Sequence, residues 1–200
     1  NYTFDAVLYA TGRRPNTTNI GLENTDITTN ERGAIVVNDT CESSVPGVYA
    51  VGDVNGGPQF TYISLDDFRI VFGALTGNGH YTLKDRKNIP YTTFLTPPLA
   101  RVGLTEEDAI NKGYTVKTKE MLVATMPRAH VNDNLKGAFK IVVDAESNLI
   151  LGATLYSQSA EELINMIKVA MDNNIPYTYF KNQIFTHPTM AENLNDLCNF

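Results

Sequence analysis

The chain has 200 residues, 42% of them hydrophobic and 19% charged, enough to bury a sizeable core as one large domain or two small ones. A net charge of −6, without a basic run or interleaved aromatic and basic side chains, argues against a nucleic-acid surface. The longest apolar runs, such as Ile141-Val142-Val143, are far too short to span a bilayer, and no signal-peptide pattern is present, so no membrane partner is expected.

Residue 1 is Asn, and the apolar run at residues 5–10 already has the look of a buried strand ending in the tight turn Thr11-Gly12. The expectation is a piece cut from a longer chain. Arg13-Arg14-Pro15-Asn16 is loop chemistry, because Pro15 forces an extended predecessor and Asn16 favours a turn. A hairpin-like stretch follows around residues 34–37, with a turn at Pro46-Gly47, and residues 48–51 read as a second buried strand closed by Gly52-Asp53. Gly56-Gly57-Pro58 breaks the chain before a helix over residues 62–75.

Gly77-Asn78-Gly79-His80 and the charged Lys84-Asp85-Arg86-Lys87 form the best linker. Beyond it, residues 91–95 alternate as a strand stopped by Pro97-Pro98, and Thr105 caps a short helix opened by Glu106-Glu107-Asp108. Strands are predicted over 116–125, 138–143 and 149–156. Ser159-Ala160-Glu161-Glu162 reads as a capping box, and Leu163, Met166, Ile167, Ala170 and Met171 put one apolar stripe on the helix it starts. A final helix is predicted over 189–197. The pattern gives a mostly β segment over 1–84 and an α+β domain over 85–200.

The two cysteines, Cys41 and Cys198, are too few and too far apart for a disulfide framework, which fits a reducing, cytoplasmic compartment. Neither belongs to a CxxC or CxxxxC pair; Cys41 reads as a loop or strand-edge residue and Cys198 as buried filler on a helix.

Two motifs carry chemistry. A strand delivering Gly52-Asp53 places a carboxylate at a sheet edge, where hydroxyl groups of a ligand can donate to it and glycine permits close approach. Eight residues on, Thr61 sits at the start of a helix, whose free N–H groups favour an electron-rich carbonyl or anion. The bland reading is a strand-ending turn. In Thr186-His187-Pro188-Thr189-Met190-Ala191-Glu192, an imidazole precedes a helix at a rigid turn, and Glu192 can fold back to orient it for proton transfer. Here the bland reading is a capping box, with Glu192 meeting only the Thr189 amide.

Taken in this order, Ala10-Thr11-Gly12-Arg13-Arg14-Pro15-Asn16, Tyr49-Ala50-Val51-Gly52-Asp53 and His187-Pro188-Thr189-Met190-Ala191-Glu192 resemble the carboxyl-terminal part of the pyridine nucleotide-disulfide oxidoreductases, which include glutathione reductase, dihydrolipoamide dehydrogenase and mercuric reductase. The resemblance covers nearly all of the chain. It implies an α/β fragment of an FAD-binding domain followed by an α+β dimerisation domain with an antiparallel sheet and helices. In that family the segment similar to Gly52-Asp53 binds FAD through the Asp, and the position matching Thr61 offers its N–H to the flavin. Phe60 and Tyr62 depart from the smaller residues common there. Gly12 and Arg13 fall near the nicotinamide cofactor, with a solvated salt-bridging loop as the other reading. His187, with Glu192 as partner, becomes the acid/base for a redox cysteine pair in the other subunit of a homodimer. His80 and His130 match no such pattern and read as surface or linker residues.

The implied whole is a flavoprotein using FAD and NAD(P)H on a small-molecule substrate. The glycine-rich nucleotide turn and the cysteine pair are not in this chain, so stable cofactor binding or turnover by it alone is not expected. Leu99-Ala100-Arg101-Val102-Gly103 resembles the mercuric-reductase-like branch that handles reactive chlorine species or hypothiocyanous acid. Two alternatives remain open: a dimerisation module only, or part of a flavin oxidoreductase without redox cysteines.

Overall fold

The computed structural model describes residues 2–200. The chain divides between Arg86 and Lys87 into two compact units.

In the first unit, Asn1–Arg86, the predicted buried strand at residues 5–10 does not form. Val7, Leu8 and Tyr9 are 72%, 90% and 84% exposed. A strand needs neighbours to meet its N–H and C=O groups, and none pairs with this run among the described residues. The mostly β expectation for residues 1–84 is corrected in the same way. Among the described residues of this unit, the pairing is limited to the isolated bridges Thr29↔Ile35 and Glu42↔Tyr49. A short apolar run reports extended backbone, but pairing depends on what lies alongside. The one α-helix described in this unit, α1 (Thr61–Thr76), agrees with its prediction within a residue and ends at the left-handed Gly77. Its Ile63 and Ile70 are buried, as are Ala34, Cys41 and Ala50 of the same unit. Cys41 is fully buried; desolvation first, then the nearby Asp67, pushes its thiol up to about 11, so it is an inert core group.

The second unit, Lys87–Phe200, is built on a five-stranded antiparallel sheet. Its strands are β1 (Tyr91–Thr93), β2 (Leu99–Gly103), β3 (Val116–Leu122), β4 (Ala138–Asp144) and β5 (Ile150–Tyr156), ordered β1-β2-β5-β4-β3. β2 was hidden from the sequence reading because Pro97-Pro98 looks like a terminator; the strand begins directly after it, burying Ala100 and Val102. β1 is shorter than predicted, leaving Phe94 and Leu95 exposed, and β3 ends in a 3-10 turn at Val123–Thr125. Gly137 leads into β4 at φ +117, where any Cβ would lie 1.7 Å from the Tyr156 carbonyl oxygen, so strand β5 can lie close only against glycine.

Five helices flank the sheet: α2 (Glu106–Asn111), α3 (Pro127–Val131), α4 (Ala160–Asp172), α5 (Tyr177–Asn182) and α6 (Asn193–Leu197). α4 lies against β5 and β2, with Leu163, Ile164, Ile167 and Ala170 buried. Met166, predicted on that stripe, is 37% exposed, and Ile164 occupies the core instead. The Ser159 capping box is also absent. Ser159 sits at φ 64, outside the extended region from which an N-cap hydroxyl reaches the helix amides, and only its carbonyl accepts, from Glu162 and Leu163. α6 is shorter than the predicted 189–197, and α3 and α5 were not foreseen.

Thr105, in contrast, forms a complete capping box. Its Oγ1 accepts the Asp108 N–H at 3.0 Å, and Asp108 accepts the Thr105 N–H at 3.2 Å. Thr105→Ala is expected to lower the stability of the second unit by about 1 kcal/mol, read as a small fall in urea midpoint without a change in slope.

Candidate functional site

In the first unit, extended Val51 delivers Gly52–Asn55, a 3-10 turn. Gly52 is buried at φ +74, and a Cβ there would come within 2.7 Å of Ser64 Oγ on α1. Only glycine lets the turn lie this close to the helix. The Gly52 N–H donates to Asp67 Oδ2 at 2.7 Å, and Asn55 Nδ2 donates to the same oxygen at 2.9 Å. Asp53 points outward with its side chain 49% exposed, and Arg13 Nη1 lies 3.6 Å from Asp53 Oδ2. Both partners are solvated, so this ion pair adds little stability. Thr61 heads the 16-residue α1; Phe60 supplies no side-chain cap, and the Thr61 N–H has no partner among the described residues. Gly12 lies in an exposed segment at φ +102, and a Cβ there would meet nothing within 4 Å.

The donor set is an outward carboxylate, an unmet amide at the positive end of a long helix, and a turn with no room for a side chain. It suits a ligand carrying hydroxyl groups and a polar carbonyl, as a flavin nucleotide does.

In the second unit, His187 Nδ1 lies 2.7 Å from Glu192 Oε2. The other carboxylate oxygen, Oε1, accepts the Thr189 N–H at 3.0 Å, while Thr189 Oγ1 accepts the Glu192 N–H at 3.2 Å. The capping box and the histidine contact therefore coexist, one on each oxygen. Buried Met190, Leu194 and Leu197 seat this segment on the core. The His187-Pro188 peptide is cis. His187 itself is exposed, with 68% of its side chain open, and Nε2 has no partner among the described residues.

Partial burial raises the Glu192 pKa, but bonds from the His187 ring and the Thr189 amide outweigh it and hold the carboxyl below its ordinary range. An ionised Glu192 accepts from Nδ1–H, leaving the Nε2 lone pair facing outward. Because the folded state depresses this pKa, its contribution to stability is full above the unfolded value and is lost as pH falls through the lower folded value. The stability gap between wild type and Glu192→Gln is expected to shrink as pH is lowered through that window, as urea midpoints at pH 6 and in acid would read.

Cys198 is fully buried, and desolvation, opposed weakly by Lys119, pushes its thiol up to about 12, so it offers no thiolate. His80 and His130 are both exposed, and a His130 ring nitrogen contacts the Ala124 carbonyl. No group of three or more metal-ligating side chains occurs among the described residues, and no helix there is long and apolar enough to cross a membrane.

Sequence reasoning missed Asp67, Asn55 and Arg86, which hold the Gly52 turn. A signal existed: Asp67 sits four residues after Ile63 and three before Ile70, on the buried face of α1.

Residues 89–198 match the family model for the pyridine nucleotide-disulphide oxidoreductase dimerisation domain, and residues 1–67 match that for pyridine nucleotide-disulphide oxidoreductase. The chain belongs to the pyridine nucleotide-disulphide oxidoreductase family. Among relatives of this family it is similar to the probable pyridine nucleotide-disulfide oxidoreductase RclA of Escherichia coli, with 48% identity over 96% of this chain and 44% of that protein. It is also similar to a mercuric reductase of Staphylococcus aureus, 36% identical over 95% of this chain and 35% of the relative. A solved structure described as the HOCl-induced flavoprotein disulfide reductase RclA from Escherichia coli superposes with a TM-score of 0.92 at 47% identity, covering 94% of this chain and 43% of that one. The chain thus spans less than half the length of these relatives.

Proposed function

We propose that this chain provides the carboxyl-terminal part of an FAD-dependent NAD(P)H oxidoreductase of the disulfide type, which acts as a homodimer through residues 85–200 on a small-molecule substrate. The observation that carries this reading is the His187–Glu192 pair: Nδ1 held by a carboxylate on a ring that is otherwise largely exposed. When bound, the flavin supplies two-electron transfer between nicotinamide and a cysteine pair. Around it, this chain's residues bind and move protons. Asp53 would accept hydrogen bonds from flavin hydroxyls, the Thr61 N–H would meet a flavin carbonyl, and Gly12 and Arg13 would serve the nicotinamide cofactor. His187 takes a proton from a thiol at Nε2 and returns it, while Glu192 stabilises the imidazolium and holds the ring in place.

An imidazole this exposed on its own unit suits work on a redox centre outside that unit, and a second subunit of a homodimer can supply one. The test is turnover of the full-length protein carrying His187→Gln with its dimer state measured alongside. Unchanged turnover would leave the segment a dimerisation module only.

A further inference from the structure

We propose that the buried Asp67–Arg86 pair is the positioning device for the Asp53 carboxylate, an inference that rests on the flavin reading of the Gly52–Asp53 turn.

Asp67 is fully buried on α1 and uses both oxygens. Oδ2 accepts the Gly52 N–H at 2.7 Å and the Asn55 side-chain amide at 2.9 Å, gripping the turn Gly52–Asn55 near each end. Oδ1 accepts from Arg86 Nη2. Arg86, only 10% exposed at its side chain, also donates from Nε to Asp66 Oδ2 at 2.7 Å, and Tyr81 OH contacts that same oxygen at 3.3 Å. The guanidinium fork therefore fixes the rotamer of Asp67, and Asp67 fixes the backbone that aims Asp53 outward. Asn55 extends the hold, its Oδ1 accepting the Gly57 N–H at 2.9 Å. None of these groups touches Asp53 itself; each acts through the turn. A buried carboxylate with a dedicated cation is costly for a small unit to maintain, and replacing it with apolar side chains is often neutral for stability. Its value lies in direction, because the site needs one carboxylate held at one angle.

Asparagine at position 67 cannot satisfy both sides. With its carbonyl towards Gly52 and Asn55, its amide meets the Arg86 donors; turned round, it meets the two amide donors. In the full-length protein freed of flavin, Asp67→Asn and Arg86→Met are expected to weaken FAD binding about tenfold or more by fluorescence titration, the factor that one lost buried hydrogen bond makes. The deciding readout is non-additivity: Asp67→Asn combined with Asp53→Asn should bind FAD no more weakly than Asp53→Asn alone, within about threefold. Full multiplication of the two losses, or wild-type affinity in Asp67→Asn, would overturn the proposal. If Asp67→Asn does not fold, Arg86→Lys serves in its place. It keeps the charge but replaces the rigid fork that meets Asp66 from Nε and Asp67 from Nη2 with a single ammonium on a flexible stem, so an affinity between those of wild type and Arg86→Met supports the role and wild-type affinity removes it. Wild-type affinity in Asp53→Asn would instead defeat the flavin reading of the turn, and this proposal with it.

Discussion

His187→Gln in the full-length protein is expected to lower substrate turnover by about 10²- to 10⁴-fold, the range for losing a positioned acid/base. Glutamine keeps similar bulk and can still donate to Glu192, so an exposed side chain is exchanged without a core disturbance. It cannot carry a proton on and off near neutral pH. Reduction of the flavin by NAD(P)H should remain near wild type, because His187 is assigned to the cysteine side of the reaction. Stopped-flow measurement of that half-reaction beside steady-state turnover separates the steps, and an equal loss in both would contradict the assignment. Glu192→Gln should cost less, since the imidazole remains and only its orientation and partner charge are weakened.

Phe139→Ala is expected to have the largest effect on folding, lowering the stability of the second unit by about 3–5 kcal/mol. Phe139 is fully buried on β4, with Met121 of β3 and Leu155 of β5 as its cross-strand neighbours. Removing its ring leaves a cavity that three hydrogen-bonded strands cannot collapse to fill. Against a total stability of about 5–15 kcal/mol for an ordinary domain, the loss should shift the urea transition far to lower denaturant. A change under about 1 kcal/mol would mean that the core lies elsewhere.

The sequence was most legible where one element carries its own signals. Thr105 with Asp108 marked a helix start that forms as written, and the alternating strands β4 and β5 lie within a residue of expectation. Legibility failed where neighbours decide. Residues 5–10 have strand composition but no strand beside them, and Ser159 has cap chemistry on a backbone in the left-handed region. β2 was masked by the prolines ahead of it, and the Met166/Ile164 exchange depends on which way α4 faces the sheet. At the candidate site, spacing left Glu192 between a capping box and a histidine partner and the family resemblance made the choice, whereas both bonds of the Glu192 carboxylate appear only in three dimensions. Asp67 went unnoticed because a charged residue on a helix is ordinarily solvated, and its cation comes from Arg86, 19 positions away.

The solvent-facing extended run with Phe4, Val7, Leu8 and Tyr9 has a practical consequence. Unmet main-chain donors and acceptors beside bare apolar side chains are a template for strand addition, so association through that run is the expected result when this polypeptide is concentrated. Sedimentation of this polypeptide alone would then mix adventitious sticking through residues 4–9 with the twofold pairing proposed for its sheet-and-helix unit. Charged substitutions at Val7 and Leu8 remove the first association and leave the second to be weighed on its own.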